Sequence, residues 1–165
     1  MDRRTLEVIR KIHELFRKKG LTLSVAESCT GGLISHYITA LPGASNFFEA
    51  GVVSYSAEAK RTILGVSSET ASKYGVVSDQ TGKEMADKVR KLAGTDLSLS
   101  TTGNLGPDTL EGKEKGVVYI SVSGEDGILS RELRLKGDRE ENKKEAALAA
   151  LQLLLKTAEE YPYKS

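Results

Sequence analysis

Short apolar runs that stop at glycine or hydroxyl residues alternate, along most of this chain, with segments of helical period. Residues 3–19 place Leu6, Ile9, Ile12, Leu15 and Phe16 at helical spacing, and Gly20 reads as the C-cap. LTLSVA (21–26) then reads as a buried strand, and TGGLISHYITAL (30–41) as a helix that Pro42-Gly43 ends. FFEAGVVSYS (47–56) is a strand, AEAKRTILG (57–65) a short helix closed by Gly65, and Glu69 to Tyr74 another. Residues 78–94 form a helix opened by Ser78 or Asp79. DLSLSTTG (96–103) is a strand, followed by a loop at 104–116 punctuated by glycine and proline. VVYISVSG (117–124) and ILSRELRL (128–135) pair across EDG as a hairpin, and residues 138–161 close the chain as a helix with an acidic first turn and an alanine-rich inner face. Strands interleaved with helices imply a layered α/β fold. The late hairpin makes the sheet mixed. The expected architecture is a single three-layer α/β/α domain over residues 1–165, with a mixed, mainly parallel sheet.

Composition narrows the function classes. Lys+Arg is 24 and Asp+Glu is 23, giving a net charge of +1, so nothing global draws the chain to nucleic acid. The densest basic run, FRKKG (16–20), ends a helix, where cations meet the negative end of the dipole. Cys29 is the one cysteine, so no intrachain disulfide forms and a reducing, cytoplasmic setting is expected. No apolar stretch approaches the roughly 18 residues that would span a bilayer. The first residues, MDRRTLEVIRKIHELF, mix charges with apolar residues and do not read as a signal peptide. Neither a nucleic-acid nor a membrane partner is expected.

Four constellations can carry chemistry. In VAESCTGGLIS (25–35) a strand turns sharply into a helix, exposing hydroxyls and free backbone N–H groups at the edge where α/β sheets bind ligands. Ser28 or Thr30 reads either as a nucleophile with N–H oxyanion donors or as a plain N-cap beside close-packing glycines Gly31 and Gly32. No Lys-Ser/Thr pair follows those glycines, so this is no Walker loop. In YSAEAK (55–60), Lys60 reads either as a solvated surface lysine or as the base of a Ser-Lys pair facing Ser28, which would require a lowered pKa. STTGNLGP (100–107) leaves a strand into a glycine turn. In KGDRE (136–140), Asp138 is a natural N-cap, and Arg139 either reaches a phosphate or carboxylate or pairs with Glu140 or Glu141. His13 and His36 have no second ligand at helical spacing, so no metal is expected. Phe47 and Phe48 read either as strand core or as an apolar contact between copies in a homo-oligomer.

Taken in order, AESCTGG, GVVSYSAEAK, YGVVS, TTGNLGP and GDRE resemble the C-terminal domain of CinA, the competence/damage-inducible protein, from about Leu6 to Leu155. Stand-alone members of that family are nicotinamide-nucleotide amidases. The resemblance implies a three-layer fold. It implies hydrolysis of nicotinamide mononucleotide to nicotinic acid mononucleotide and ammonia, with no cofactor. It assigns Ser28 as nucleophile, Lys60 as base and Tyr55 as the group that relays or orients the proton. Thr102, Gly103 and Arg139 would bind substrate, and the N–H groups of Thr30, Gly31 and Gly32 would hold either oxyanion or phosphate. Full-length relatives carry a pyrophosphatase-like N-terminal domain. This chain opens on its first helix, so that activity is expected to be absent.

The chain departs from the family in the 104–116 loop and at Lys143. Where relatives read close to GIAGPxGG and then KPVG, this sequence reads GNLGPDTLEGKEKG. Thr109 and Leu110 replace paired glycines, and Glu114-Lys115 replaces Lys-Pro. Side chains there narrow the backbone's approach to a ligand. Lys143 stands where the family tends to carry an arginine and cannot make the same bidentate contact. The alternative reading is therefore a non-catalytic nucleotide-binding module of the same family.

Overall fold

The computed structural model describes residues 1–164. Helix α1 (Arg3–Lys19) starts at Asp2, whose side chain accepts from Thr5 N, and stops at Gly20 in the left-handed conformation. Strand β1 (Leu23–Glu27) is buried at every position. Helix α2 (Leu33–Thr39) and strand β2 (Phe48–Val53) follow. The single turn α3 (Ala57–Ala59) runs on as a π-helical segment, Lys60–Leu64. Then come α4 (Ser68–Tyr74), α5 (Asp79–Ala93), β3 (Leu97–Gly103), β4 (Val117–Gly124), β5 (Gly127–Arg134) and α6 (Arg139–Glu160). Ser78 caps α5, and Asp138 with Glu141 forms a reciprocal capping box on α6.

The five strands form one mixed sheet in the order β2-β1-β3-β4-β5. β1 lies parallel to both β2 and β3, β4 runs against β3, and β5 returns against β4. Only β4 therefore opposes the common direction. Register sets Glu27 abreast of Val53 on one side and Thr101 on the other. Of the residues that follow these three, Ser28 and Ser54 leave the sheet while Thr102 stays in β3, paired with Tyr119.

Helices α1, α2 and α6 cover one face and α5 the other. The first face buries Leu23, Val25, Leu97, Leu99, Val118, Ile120 and Val122 in a large apolar core with Ile9, Ile12, Phe16 and Leu151. The second apolar cluster is small: Ala26, Leu64, Val66, Met85 and Val89. No helix among the described residues is long and apolar enough to cross a membrane.

Several local expectations change. Helix 30–41 begins only at Leu33, because Gly31 and Gly32 take φ of 60° and 99°. Neither Ser28 nor Thr30 is its N-cap. Lys19 does not serve the end of its own helix. It is buried, and its Nζ donates to the carbonyls of Ala158, Glu159 and Tyr161 at the end of α6. Phe47 belongs to the core, packed on Phe16 and edge-on to His13. His13 Nε2 lies 2.8 Å from the Ile38 carbonyl, so its ring joins α1 to α2.

Candidate active site

Ser28 is the first residue past β1, and its N–H is tied to Thr101 O at 3.0 Å. Lys60 starts the π-helical segment, a backbone irregularity that recurs at functional sites. Its side chain is 2% exposed, and Nζ stands 2.8 Å from Ser28 Oγ, 3.0 Å from Ser54 O and 2.9 Å from Tyr55 O. These three partners suit either charge state. An ammonium donates to all of them. A neutral amine has two N–H groups, which the two carbonyls can take, and one lone pair left for the Ser28 hydroxyl. Burial pushes the Lys60 pKa below its usual value, while the Glu111 carboxylate nearby pulls it partly back. A lysine held this way can accept a proton from Ser28.

A cavity of about 110 Å³ opens beside the pair. Ser28, Tyr55, Lys60, Thr102, Gly103 and Arg139 all line it, with Leu110 at one side. The Tyr55 side chain is exposed, and its hydroxyl accepts from Arg139 Nη2 at 3.0 Å, while Arg139 Nη1 donates to Gly106 O at 2.6 Å. Arg139 thus gives one N–H to the loop and one to Tyr55, keeps the rest of its five donors, and forms no ion pair with Glu140 or Glu141. Thr102 Oγ1 donates to Val76 O at 2.6 Å, tying β3 to the segment before α5. Gly103 is small because its neighbours are close: a Cβ there would sit 2.8 Å from Val117 O.

Thr30, Gly31 and Gly32 lie outside that lining. The Thr30 hydroxyl is 2.7 Å from Glu27 Oε1 and 2.8 Å from Thr101 Oγ1, and Gly31 N donates to Ser28 O. Lys143 Nζ stands near Gly31, within 3.7 Å of where a Cβ would be. Cys29, next to the serine, is buried, which pushes its thiol up to about 12 and keeps it protonated.

Two groups lie inside the quoted motifs without a role assigned to them there. Glu27 is fully buried, and its carboxylate accepts from Ile34 N, Ser35 N, Ser35 Oγ and Thr30 Oγ1. It caps α2 from the strand and so fixes the turn that carries Ser28. A carboxylate ending an apolar run, a few residues ahead of a helix with no side-chain cap, is the signal that marks it. Asn104 is the other. Its amide donates to Asp108 O and accepts from Gly106 N, and so shapes the start of the 104–116 loop.

Residues 5–158 match the model of the CinA C-terminal domain. The chain belongs to the CinA C-terminal domain family. It is 46% identical over 162 residues to a protein from Caldicellulosiruptor saccharolyticus that carries the name competence-damage inducible protein, covering 98% of this chain and 39% of that one. A relative of the same name from Thermoanaerobacter pseudethanolicus is 48% identical over 143 residues, 86% of this chain and 34% of the relative. The chain thus spans less than two fifths of the length of these relatives. Among solved structures, the competence/damage inducible protein CihA from Agrobacterium tumefaciens superposes with a TM-score of 0.91 at 33% identity, covering 94% of this chain and 96% of that one. A CinA superfamily protein from Klebsiella pneumoniae gives 0.92 at 30% identity, covering 95% and 99%. These CinA structures share the five-stranded mixed sheet and its helical layers.

Proposed function

We propose that this CinA-family domain is an amidohydrolase that deamidates nicotinamide mononucleotide through a serine nucleophile and a lysine base. The observation that carries the reading is the buried Lys60 Nζ at 2.8 Å from Ser28 Oγ, with two carbonyls holding the amine. Ser28 Oγ attacks the carboxamide carbon, and its proton passes to Lys60 Nζ. The carbon–nitrogen bond then breaks, and ammonia leaves with the proton from Lys60. The ester on Ser28 is hydrolysed by water, whose proton Lys60 accepts and returns to Ser28. The products are nicotinic acid mononucleotide and ammonia, and no cofactor enters.

Tyr55 contributes in two ways. Its carbonyl helps hold Lys60, and its hydroxyl, bound to Arg139, orients that guanidinium beside the cavity. Arg139 is the group for the anionic part of the substrate. Thr102 and Gly103 shape the wall facing the ring. The N–H groups of Thr30 and Gly32 are left for the nucleotide's outer parts, with Lys143 beside them, while that of Gly31 is tied to Ser28 O.

Acid quenching during turnover tests the reading. Peptide mass mapping is expected to find the nucleotide acyl ester on Ser28, and Lys60→Met is expected to accumulate none. Turnover with the ester on another residue would sink it. A non-catalytic binding module is the second reading, favoured by Leu110 standing in the cavity wall. It predicts saturable nucleotide binding with no ammonia release.

A further inference from the structure

We infer that Leu110 and Glu111 form a latched cover over the serine–lysine cavity and decide which amides reach Ser28. The inference rests on the amidase reading and concerns the loop that departs from the family pattern. The first half of segment 104–116 is fixed to the body: Asn142 Nδ2 donates to Leu105 O at 3.1 Å, and Arg139 Nη1 donates to Gly106 O. The second half is a small hairpin of its own. Leu110 and Lys113 exchange backbone hydrogen bonds of 3.1 and 2.8 Å across Glu111 and Gly112.

Both turn residues have positive φ, 52° at Glu111 and 72° at Gly112. Glycine takes that conformation freely, whereas glutamate takes it against its preference. What holds Glu111 there is its carboxylate. It accepts from Val76 N at 3.1 Å and from Val77 N at 3.0 Å, two successive backbone donors on the opposite side of the site. The hairpin tip thus bridges from the loop to the segment before α5.

The bridge is also a partition. On one side lies the cavity of about 110 Å³ with Ser28 and Leu110, well below the roughly 300 Å³ at which ligand pockets begin. On the other lies a cleft of about 410 Å³, bounded by Arg61, Ser68, Ala71 and Glu111. Lys60 and Val76 line both spaces. Closed, the cover leaves room for a small carboxamide. Lifting the Glu111 carboxylate off Val76 and Val77 joins the two spaces and admits an amide the size of a nucleotide. Access for large substrates then scales with the population of the open form, while small ones are indifferent to it.

The test uses two serine-directed sulfonyl fluorides on the whole chain, so that it needs no amide substrate. In each, a Ser28 oxygen–sulfur bond forms, the sulfur–fluorine bond breaks, and the serine proton passes to Lys60. Rates of Ser28 sulfonylation by dansyl fluoride (large) and methanesulfonyl fluoride (small) are measured by intact mass and peptide mapping. The large-to-small rate ratio is read because removing Glu111 also changes the charge near Lys60, which moves both rates together. Glu111→Ala and Leu110→Ala are expected to raise the ratio on the order of tenfold. Glu111→Gln, whose amide oxygen still accepts, should fall between. Amide hydrogen exchange at Val76 and Val77 should accelerate in Glu111→Ala. An unchanged ratio overturns the inference, with or without faster exchange. If Ser28 is modified in no variant, the nucleophile reading fails instead. Exchange at Val76 and Val77 then decides whether the latch exists, slow exchange in Glu111→Ala overturning it.

Discussion

The two faces of the sheet are held by different forces. Under α1, α2 and α6 the strands present leucine, isoleucine and valine up to Glu27 and Thr101 near their ends, and the helices answer with Ile9, Ile12, Phe16 and Leu151. Removing apolar surface from water supplies most of the stability there. Under α5 the same strands present serine. Ser24 donates to Val89 O at 3.3 Å, Ser98 to Ala86 O at 2.6 Å and Ser100 to Gly82 O at 2.6 Å, so a row of hydroxyls runs along one stripe of the helix. Gly82 lets the helix settle close: a Cβ there would lie 3.3 Å from Ser121 Oγ. These three buried hydroxyls are tolerable because their partners are in place. Followed to the strand ends, the serine face becomes the site. The alternation that sets Ser24 and Ala26 toward α5 sets Ser28 there next, and the one that sets Ser98 and Ser100 there sets Thr102. Ser28, the proposed nucleophile, is thus the last member of a polar row that otherwise seats a helix.

That contrast can be broken at the residue level. Leu99→Ala on the apolar face should cost about 2–5 kcal/mol in urea unfolding, since it removes buried methyl groups and leaves a cavity. A cost below that of a serine change would contradict the division of labour. At the polar end the readout is pH. With the Lys60 pKa lowered by burial, the base is protonated below that value, so kcat/KM should rise about tenfold per pH unit, some 1.4 kcal/mol, and level off before the 10.5 of an ordinary lysine. A limb that persists to the ordinary value, or that survives in Lys60→Met, would remove Lys60 as the base. Ser100→Ala gives up one hydrogen bond and should cost about 1 kcal/mol. Ser121 Oγ is buried without a partner among the described residues, so Ser121→Ala should be neutral or slightly stabilising. Equal losses at Ser100 and Ser121 would show that burial, not the bond to α5, decides.

How much was legible follows the same line. The order of strands and helices, the hairpin and the caps at Asp138, Ser78 and Gly20 are local, and local chemistry announces them. The Leu–Ser alternation of 97–100 was legible as a strand but not as one buried on both sides, because serine under a helix and serine under water look alike in sequence. The strand order was not legible either, since β1 sits between β2 and β3 by long-range packing. At the site, the resemblance put Ser28, Lys60, Tyr55, Thr102, Gly103 and Arg139 forward, and these six line one cavity. Thr30, Gly31 and Gly32 shape the turn beside it. Spacing alone could not choose between a capping serine and a nucleophile, nor between a surface lysine and one that is 2% exposed. Lys19 and Glu111 act on backbone groups far along the chain, and no short pattern encodes such partners.

The most direct measurement is ammonia release from nicotinamide mononucleotide by the wild-type chain and by Ser28→Ala, with circular dichroism showing both folded. A serine nucleophile predicts release by wild type and a loss of at least about a thousandfold in the variant. Comparable release by Ser28→Ala would contradict it.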